Sequence, residues 1–114
     1  DLQRKDGQWT RAKGFDTFCP LGPWIETDVD IADVLITCRV NGEMRQMASS
    51  REMVFSVPQL IAFASSVMTL EPGDILLTGT PAGVGPLTDG DRVEVEIEGI
   101  GILANGVRSA PPRF

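Results

Sequence analysis

The stretch Leu77-Thr78-Gly79-Thr80-Pro81-Ala82-Gly83-Val84-Gly85, residues 77–85, carries an apolar run into a loop of three glycines, one proline and two threonines. Glycine adopts backbone conformations closed to other residues and lets a ligand approach the main chain. Pro81 fixes one backbone dihedral, so the loop has a defined shape. Residues 75–77 predict a short buried strand, and turn signals stand at residues 72–74 and 88–91. Two interpretations remain open here: a wall of a small-molecule site, or a tight structural corner.

The composition indicates one domain, or part of one, with enough apolar residues (42%) to build a core. The formal charge of -6 argues against a nucleic-acid surface, and no apolar run reaches the roughly 18 residues of a membrane helix. Cys19 and Cys38 are expected as small buried residues, and the cytoplasm is the default compartment. The absence of histidine excludes Ser-His and Cys-His pairs and imidazole ligands from this segment.

A hairpin is predicted in the middle of the chain. Residues 34–40 are rich in β-branched and apolar side chains and predict a strand, and Asn41-Gly42 predicts a two-residue turn. The return strand then runs from residue 43 to residue 48. This turn pairs Val40 with Glu43 and places Thr37 opposite Gln46. Gln46 therefore either points into a site or forms a plain cross-strand polar pair.

One helix is predicted to begin after Ser56, which is a good N-cap residue. Gln59 completes a capping box, and Pro58 is tolerated in the first turn. The helix is expected to end before Pro72. Helical spacing predicts one buried stripe of apolar side chains, formed by Leu60, Ile61, Ala64, Val67 and Met68.

Residues 92–98 alternate between apolar and charged side chains, which predicts a strand with one wet face. The spacing of Glu94, Glu96 and Glu98 also suits a divalent cation, so both interpretations are considered at this point. Residues 99–101 predict a bend or bulge, residues 102–104 a returning strand, and residues 105–106 another turn. No regular structure is expected for residues 110–114.

The first 27 residues divide into a polar part and an aromatic part. Residues 1–13 hold a basic cluster that predicts either a solvated loop or an anion-binding rim for a carboxylate substrate. Residues 14–27 are rich in proline, glycine and aromatic side chains and predict an ordered loop. Lys13, at the border, either holds a carboxylate or extends to water.

The order of several sequence blocks resembles that of the fumarylacetoacetate hydrolase family. These blocks are KGFDT and PLGP within residues 13–23, NG and RQ within residues 41–46, and PGD with TGTPAGVG within residues 72–85. The resemblance implies that residues 1–114 are the C-terminal part of a single catalytic domain. That domain has a mixed β-sandwich roll, so this chain is expected to be mainly β with one short helix, and family members are usually homodimers.

The resemblance also implies a cofactor and site residues. The family binds Mg²⁺, Mn²⁺ or Ca²⁺ through a Glu-x-Glu pair and an aspartate that are all expected before Asp1, so the glutamates of residues 92–98 are not that pair. Gln3 and Thr80 match substrate-binding residues. Lys13 matches a catalytic lysine whose ammonium stabilises a developing enolate or carboxylate. Thr17, together with the Lys13 carbonyl, matches a second cation site of some members.

The implied function is metal-dependent hydrolysis, isomerisation or decarboxylation of a 2-oxo or β-diketo acid through an enolate, as in aromatic-compound catabolism. Members of this kind include 2-hydroxyhepta-2,4-diene-1,7-dioate isomerases, fumarylpyruvate and acylpyruvate hydrolases, and oxaloacetate decarboxylases. The alternative is a non-catalytic β-rich binding or structural domain that keeps the scaffold. Residues 1–114 do not separate the three reactions, because the water-activating base is expected before Asp1.

Overall fold

A four-stranded antiparallel sheet forms the centre of the computed structural model, which describes residues 1–110. The strands lie in the order β2-β1-β3-β4. Their bounds are β1 Leu35–Val40, β2 Glu43–Ser49, β3 Arg92–Ile97 and β4 Gly101–Gly106. The helices are α1 Leu2–Lys5, α2 Thr10–Lys13 and α3 Val57–Val67, with a 3-10 helix at Ser50–Glu52. The prediction of a mainly β chain is confirmed.

The β1–β2 hairpin turns at Asn41-Gly42, as predicted. Both residues have positive φ, 53° and 82°, as the twist of a two-residue hairpin requires. The Asn41 amide nitrogen donates to Asp91 Oδ1 at 2.8 Å, and its amide oxygen accepts from the Arg92 backbone N–H at 2.9 Å. These bonds tie the hairpin turn to the start of β3.

A β-bulge at Arg45 changes the register of the hairpin. From the pairs nearest the turn, Gln46 would be expected opposite Thr37, but it pairs with Cys38. Arg45 therefore has no partner residue on β1. The predicted pairing of Thr37 with Gln46 is therefore wrong. Because a shift by one residue turns a side chain to the opposite face of the sheet, Gln46 shares its face with Cys38.

The face of β3 that was predicted to be solvated carries ion pairs and hydrogen bonds. Arg39 on β1 donates to Glu96 at 2.9 Å, and Arg92 donates to Glu94 at 3.0 Å. Glu98, just beyond the strand, accepts from a backbone N–H of β1 at 3.3 Å. The opposite face carries the alternating apolar side chains of β1 and β3: Ile36, Cys38, Val40, Val93, Val95 and Ile97.

The core of the described residues is small. Val40 and Thr37 alone are buried within residues 1–110, at 6% and 5% exposure. The radius of gyration is 15.7 Å, whereas a compact chain of about 100 residues has roughly 13 Å. The apolar face of the sheet is mostly half-buried, and most of the helix at residues 57–67 is exposed. No helix in this part of the chain is long and apolar enough to span a membrane.

Helix α3 begins as predicted but does not bury its stripe. The Ser56 hydroxyl accepts from the Gln59 backbone N–H, and the Gln59 side chain accepts from the Ser56 backbone N–H, which completes the capping box. The stripe predicted as buried is wrong, because Ile61, Val67 and Met68 are exposed. The physical reason is that no strand or helix of residues 1–110 packs extensively against α3.

Three smaller predictions are also wrong. Residues 75–77 form no strand, because none of the described strands pairs with them. Asn105 and Gly106 do not turn, because the β3–β4 ladder continues to the end of β4. Cys19 is exposed, because its loop lies on the surface, and Cys38 is only half-buried. The prediction for residues 110–114 falls outside the described residues after residue 110.

The polar segment at residues 1–13 is exposed, as predicted, but consists of two helical turns rather than a loop. Arg11 donates twice to Asp6, at 2.6 and 2.8 Å. The hydrogen bond from Arg11 lowers the pKa of the Asp6 carboxyl, and the same pair raises the pKa of Arg11. Arg11 is therefore engaged with Asp6 rather than presented as part of an anion-binding rim.

The loop at residues 14–27 contains no helix or strand, as predicted. The Trp24 indole N–H donates to the Ile100 carbonyl at 2.9 Å. The Trp24 ring covers Gly101, where an added Cβ would lie 2.7 Å from the ring atom Cζ2. These contacts anchor the loop to the β3–β4 connection.

Candidate functional site

The glycine loop, residues 78–85, is held against β2 by one side chain. Gln46 donates through Nε2 to the Thr80 hydroxyl oxygen at 2.8 Å and to the Pro81 carbonyl at 2.9 Å. A third, longer contact reaches the Ala82 carbonyl at 3.4 Å. Gln46 is half-buried, whereas Thr80, Pro81 and Ala82 are exposed. The side chain whose direction was left open by the sequence therefore points at the loop.

Two glycines allow the loop to take this path. Gly79 and Gly83 have φ values of 96° and 102°, which other residues rarely adopt. Gly83 also lies directly on the bulge, since an added Cβ there would sit 2.0 Å from the Arg45 carbonyl oxygen. Gly85 has no atom within 4 Å of an added Cβ. Close approach of the loop to β2 thus depends on Gly83.

A cavity of about 490 Å³ lies beside the loop. Apolar side chains from the sheet, the segment before α3 and α3 itself line most of it, among them Ile36, Met53, Phe55 and Leu60. Thr78 and Thr80 are the hydroxyl-bearing residues of the loop among its lining residues. A concave, mostly apolar surface with a few polar groups is typical of a small-molecule site. The loop is therefore both a packed corner and a cavity wall.

The predicted site residues lie in different parts of the described chain. Gln3 is on α1 and Lys13 ends α2, both exposed. Helices α1 and α2 contact each other, which brings the two turns that carry Gln3 and Lys13 together. The lining of the cavity beside Thr80 includes neither Gln3 nor Lys13. Residues 1–110 therefore do not place the three side chains around one cavity.

Thr17 has an unusual backbone conformation. Its φ of 69° lies in the left-handed region, which β-branched residues rarely adopt. It follows Lys13 by four residues, in the surface loop after α2. Within residues 1–110 no group of three or more Cys, Asp or Glu side chains could hold a metal ion.

Sequence reasoning missed the bulge at Arg45 and thus the direction of Gln46. A bulge adds one residue to a strand, and the position that Arg45 occupies requires no particular residue type. The pattern of residues 43–49 therefore does not indicate the bulge. The glycines of the loop were the available signal, because glycine permits close approach to the main chain, but the sequence interpretation assigned that approach to a ligand and not to β2.

A four-stranded antiparallel sheet with a glycine loop and a mostly apolar cavity beside it places the chain in a β-rich class of protein. Within that class, the chain belongs to the fumarylacetoacetate hydrolase family. The family model described as "Fumarylacetoacetate (FAA) hydrolase C-terminal" matches residues 1–108. The family that the sequence blocks resemble is thereby confirmed.

Two relatives illustrate the match. An uncharacterised protein from Methanocaldococcus jannaschii is 61% identical over 108 residues, which cover 95% of this chain and 46% of that protein. The mitochondrial oxaloacetate tautomerase Fahd2a of Rattus norvegicus is 50% identical over 118 residues, which cover 94% of this chain and 38% of that protein. The chain spans about half the length, or less, of the curated relatives it matches.

Solved structures confirm the fold. The 2-hydroxyhepta-2,4-diene-1,7-dioate isomerase from Mycobacterium marinum has a TM-score of 0.93 at 58% identity, over 95% of this chain and 43% of that chain. The maleylpyruvate hydrolase from Sphingobium sp. SYK-6, in complex with manganese(II) and pyruvate, has a TM-score of 0.80 at 49% identity, over 82% of this chain and 37% of that chain. The relatives thus include an isomerase, a hydrolase and a tautomerase, and this family is one of enzymes.

Proposed function

We propose that the intact protein is an enzyme that acts on a small 2-oxo or β-diketo acid through an enolate, by hydrolysis, isomerisation or decarboxylation. The observation that carries the proposal is the Thr80 hydroxyl, held by Gln46 at 2.8 Å on the wall of an apolar cavity. A hydroxyl held in this way suits a carboxylate, which accepts hydrogen bonds and cannot donate them. The reactions named for the relatives support the same class of substrate.

In the proposed function each side chain has a separate role. Thr80 donates to the substrate carboxylate, and Gln3 contacts the remaining substrate oxygens. Lys13, a compact positive charge on a flexible stem, stabilises the negative charge that develops on the enolate. The exposed positions of Gln3 and Lys13 on adjoining turns leave both side chains free to reach a substrate.

The cofactor that we propose is a divalent cation, Mg²⁺ or alternatively Mn²⁺ or Ca²⁺. One structural relative is a complex with manganese(II). Residues 1–110 do not by themselves fit a primary cation site, because they hold no group of three or more acidic or cysteine side chains at one place. We therefore expect the primary ligands mostly before Asp1. The Lys13 carbonyl and Thr17 are proposed for a second cation site only.

The remaining proposals concern the protein as a whole. Residues 1–114 form the C-terminal part of a single catalytic domain, and the intact protein is a cytoplasmic homodimer. The chain covers only 46% and 43% of the length of two relatives, which supports its assignment as one part of a larger domain. The partner of the site is a small molecule.

Replacing Lys13 by methionine tests the enzyme proposal. In the intact protein with Mg²⁺, we expect Lys13→Met to lower kcat for oxaloacetate or an acylpyruvate by about 10²–10³-fold, as removal of one charge-stabilising donor does. Lys5→Met is the matched control, because Lys5 is the other lysine of the chain and ends α1. Full activity of Lys13→Met would remove the role given to Lys13. A wild-type protein that turns over no 2-oxo acid would favour a non-catalytic domain.

A further inference from the structure

We propose that Gln46 is a positioning residue that sets the direction of the Thr80 hydroxyl proton. In this arrangement Gln46 makes Thr80 a hydrogen-bond donor toward the cavity, where the substrate carboxylate binds. The identity of the carboxylate rests on the proposed function, whereas the orientation of Thr80 rests on contacts within this chain.

The surroundings of Gln46 fix the orientation of its amide group. Nε2 lies 2.8 Å from Thr80 Oγ1, 2.9 Å from the Pro81 carbonyl oxygen and 3.4 Å from the Ala82 carbonyl oxygen. Carbonyl oxygens only accept hydrogen bonds. The amide must therefore present its NH₂ group to the loop, since its oxygen would meet two other oxygens.

This orientation determines what the Thr80 hydroxyl can do. A hydroxyl has one proton and two lone pairs. Because one lone pair accepts from Gln46, the Thr80 proton must point away from Nε2. Within the described residues the Thr80 hydroxyl makes no other hydrogen bond, and Thr80 lines the cavity of about 490 Å³. The proton of Thr80, a residue that lines the cavity, is thus left to donate to a group other than Gln46.

The bulge at Arg45 makes this contact possible. Without the extra residue Gln46 would pair with Thr37 and lie on the face that carries the Arg39–Glu96 ion pair. With it, Gln46 lies on the face toward the loop, and the Arg45 carbonyl oxygen meets Gly83. Bulges commonly re-aim a side chain in this manner. The bulge and the positive-φ glycine together bring Gln46 and Thr80 within hydrogen-bond distance.

The test uses the intact protein, with pyruvate as the binding probe. Gln46→Glu keeps the side-chain length but replaces the donor by an acceptor, which competes with the substrate for the Thr80 proton. We expect the Kd for pyruvate to rise about 10- to 100-fold, as loss of a hydrogen bond to a charged group does. In turnover of a 2-oxo acid the loss should appear in KM more than in kcat, because Thr80 binds the carboxylate in ground state and transition state alike.

A double-mutant cycle separates positioning from a general structural effect. Thr80→Val removes the hydroxyl and should weaken pyruvate binding to a similar extent. If Gln46 acts through Thr80, the double variant binds pyruvate about as weakly as Thr80→Val alone. Glu43→Gln, an exposed change on the same strand, is the matched control and leaves the Kd unchanged.

Two results would overturn the proposal: wild-type pyruvate affinity in Gln46→Glu, or independent effects that multiply in the double variant. Failure of the proposed function has a different signature, in which wild-type protein and Thr80→Val both fail to bind pyruvate. In that case hydrogen exchange of the amides at residues 79–85 decides the role of Gln46. Faster exchange in Gln46→Glu, with no further increase when Thr80→Val is added, supports an action through Thr80, whereas unchanged exchange or additive increases overturn it.

Discussion

The three glycines of the loop have different surroundings, so the same substitution to alanine should have three different effects. Gly85 has ordinary φ and open space at its Cβ position. Gly79 also has open space but a φ of 96°. Gly83 combines a φ of 102° with a Cβ position 2.0 Å from the Arg45 carbonyl oxygen. The series therefore separates backbone strain from steric contact.

The structure sets the size of each effect. Alanine at Gly79 should lower the free energy of unfolding by about 1–2 kcal/mol, the cost of a left-handed conformation for an L-residue. At Gly83 the loop must also move away from β2, which breaks the hydrogen bonds from Gln46 at about 0.5–1.5 kcal/mol each. The expected loss is therefore about 2–5 kcal/mol. Alanine at Gly85 should be neutral or stabilise by up to about 1 kcal/mol, since it restricts the unfolded chain.

Urea denaturation of the intact protein measures these free energies, and hydrogen exchange at residues 78–85 shows whether the loop has left β2. We expect the order of destabilisation Gly83→Ala, Gly79→Ala, Gly85→Ala, with fast loop exchange in Gly83→Ala. A Gly83→Ala protein as stable as Gly79→Ala would refute the steric argument. A large loss in Gly85→Ala would refute the assignment of open space there.

Three further predictions concern the framework around the site. The pKa of Asp91 is lowered mainly by a hydrogen bond from the Thr88 backbone N–H and, to a smaller extent, by one from the Asn41 side chain. Ionised Asp91 therefore stabilises the folded state at a pH above the pKa that this carboxyl has in the unfolded chain, and this stabilisation is lost as the pH falls through its lower pKa in the folded protein. Asp91→Asn should thus flatten the dependence of unfolding free energy on pH between about 5 and 2 in urea titrations, and an unchanged slope would contradict this. Asn41→Ala and Asn41→Gly both lose the bonds to Asp91 and Arg92, but only alanine is strained at a φ of 53°. Asn41→Ala should therefore lower the free energy of unfolding by about 1–2 kcal/mol more than Asn41→Gly does, and equal losses in urea denaturation would contradict the strain argument. Trp24→Phe should lower the free energy of unfolding by about 1 kcal/mol, since the Ile100 carbonyl loses its donor, and a thermal melt identical to wild type would show that the bond has no effect.

The sequence alone determined the features that depend on near neighbours along the chain. The turn at Asn41-Gly42, the capping box from Ser56 to Gln59 and the alternating strand at residues 92–97 were all predicted correctly. Each depends on a short-range rule: positive φ at two residues, hydrogen bonds across three residues, or a period of two. The order of the sequence blocks within residues 13–85 also identified the family.

The tertiary structure decided what depends on distant partners. Whether an apolar segment is a strand or a buried stripe depends on the element that covers it, so residues 75–77 and the stripe of α3 were predicted wrongly. Strand β4 extends to Gly106 because β3 continues to pair with it, whatever turn signal those residues carry. Gln46 is the clearest case: one unpaired residue, Arg45, turns its side chain from the charged face of the sheet to Thr80. Register is a property of two strands together, and the pattern of one strand does not contain it.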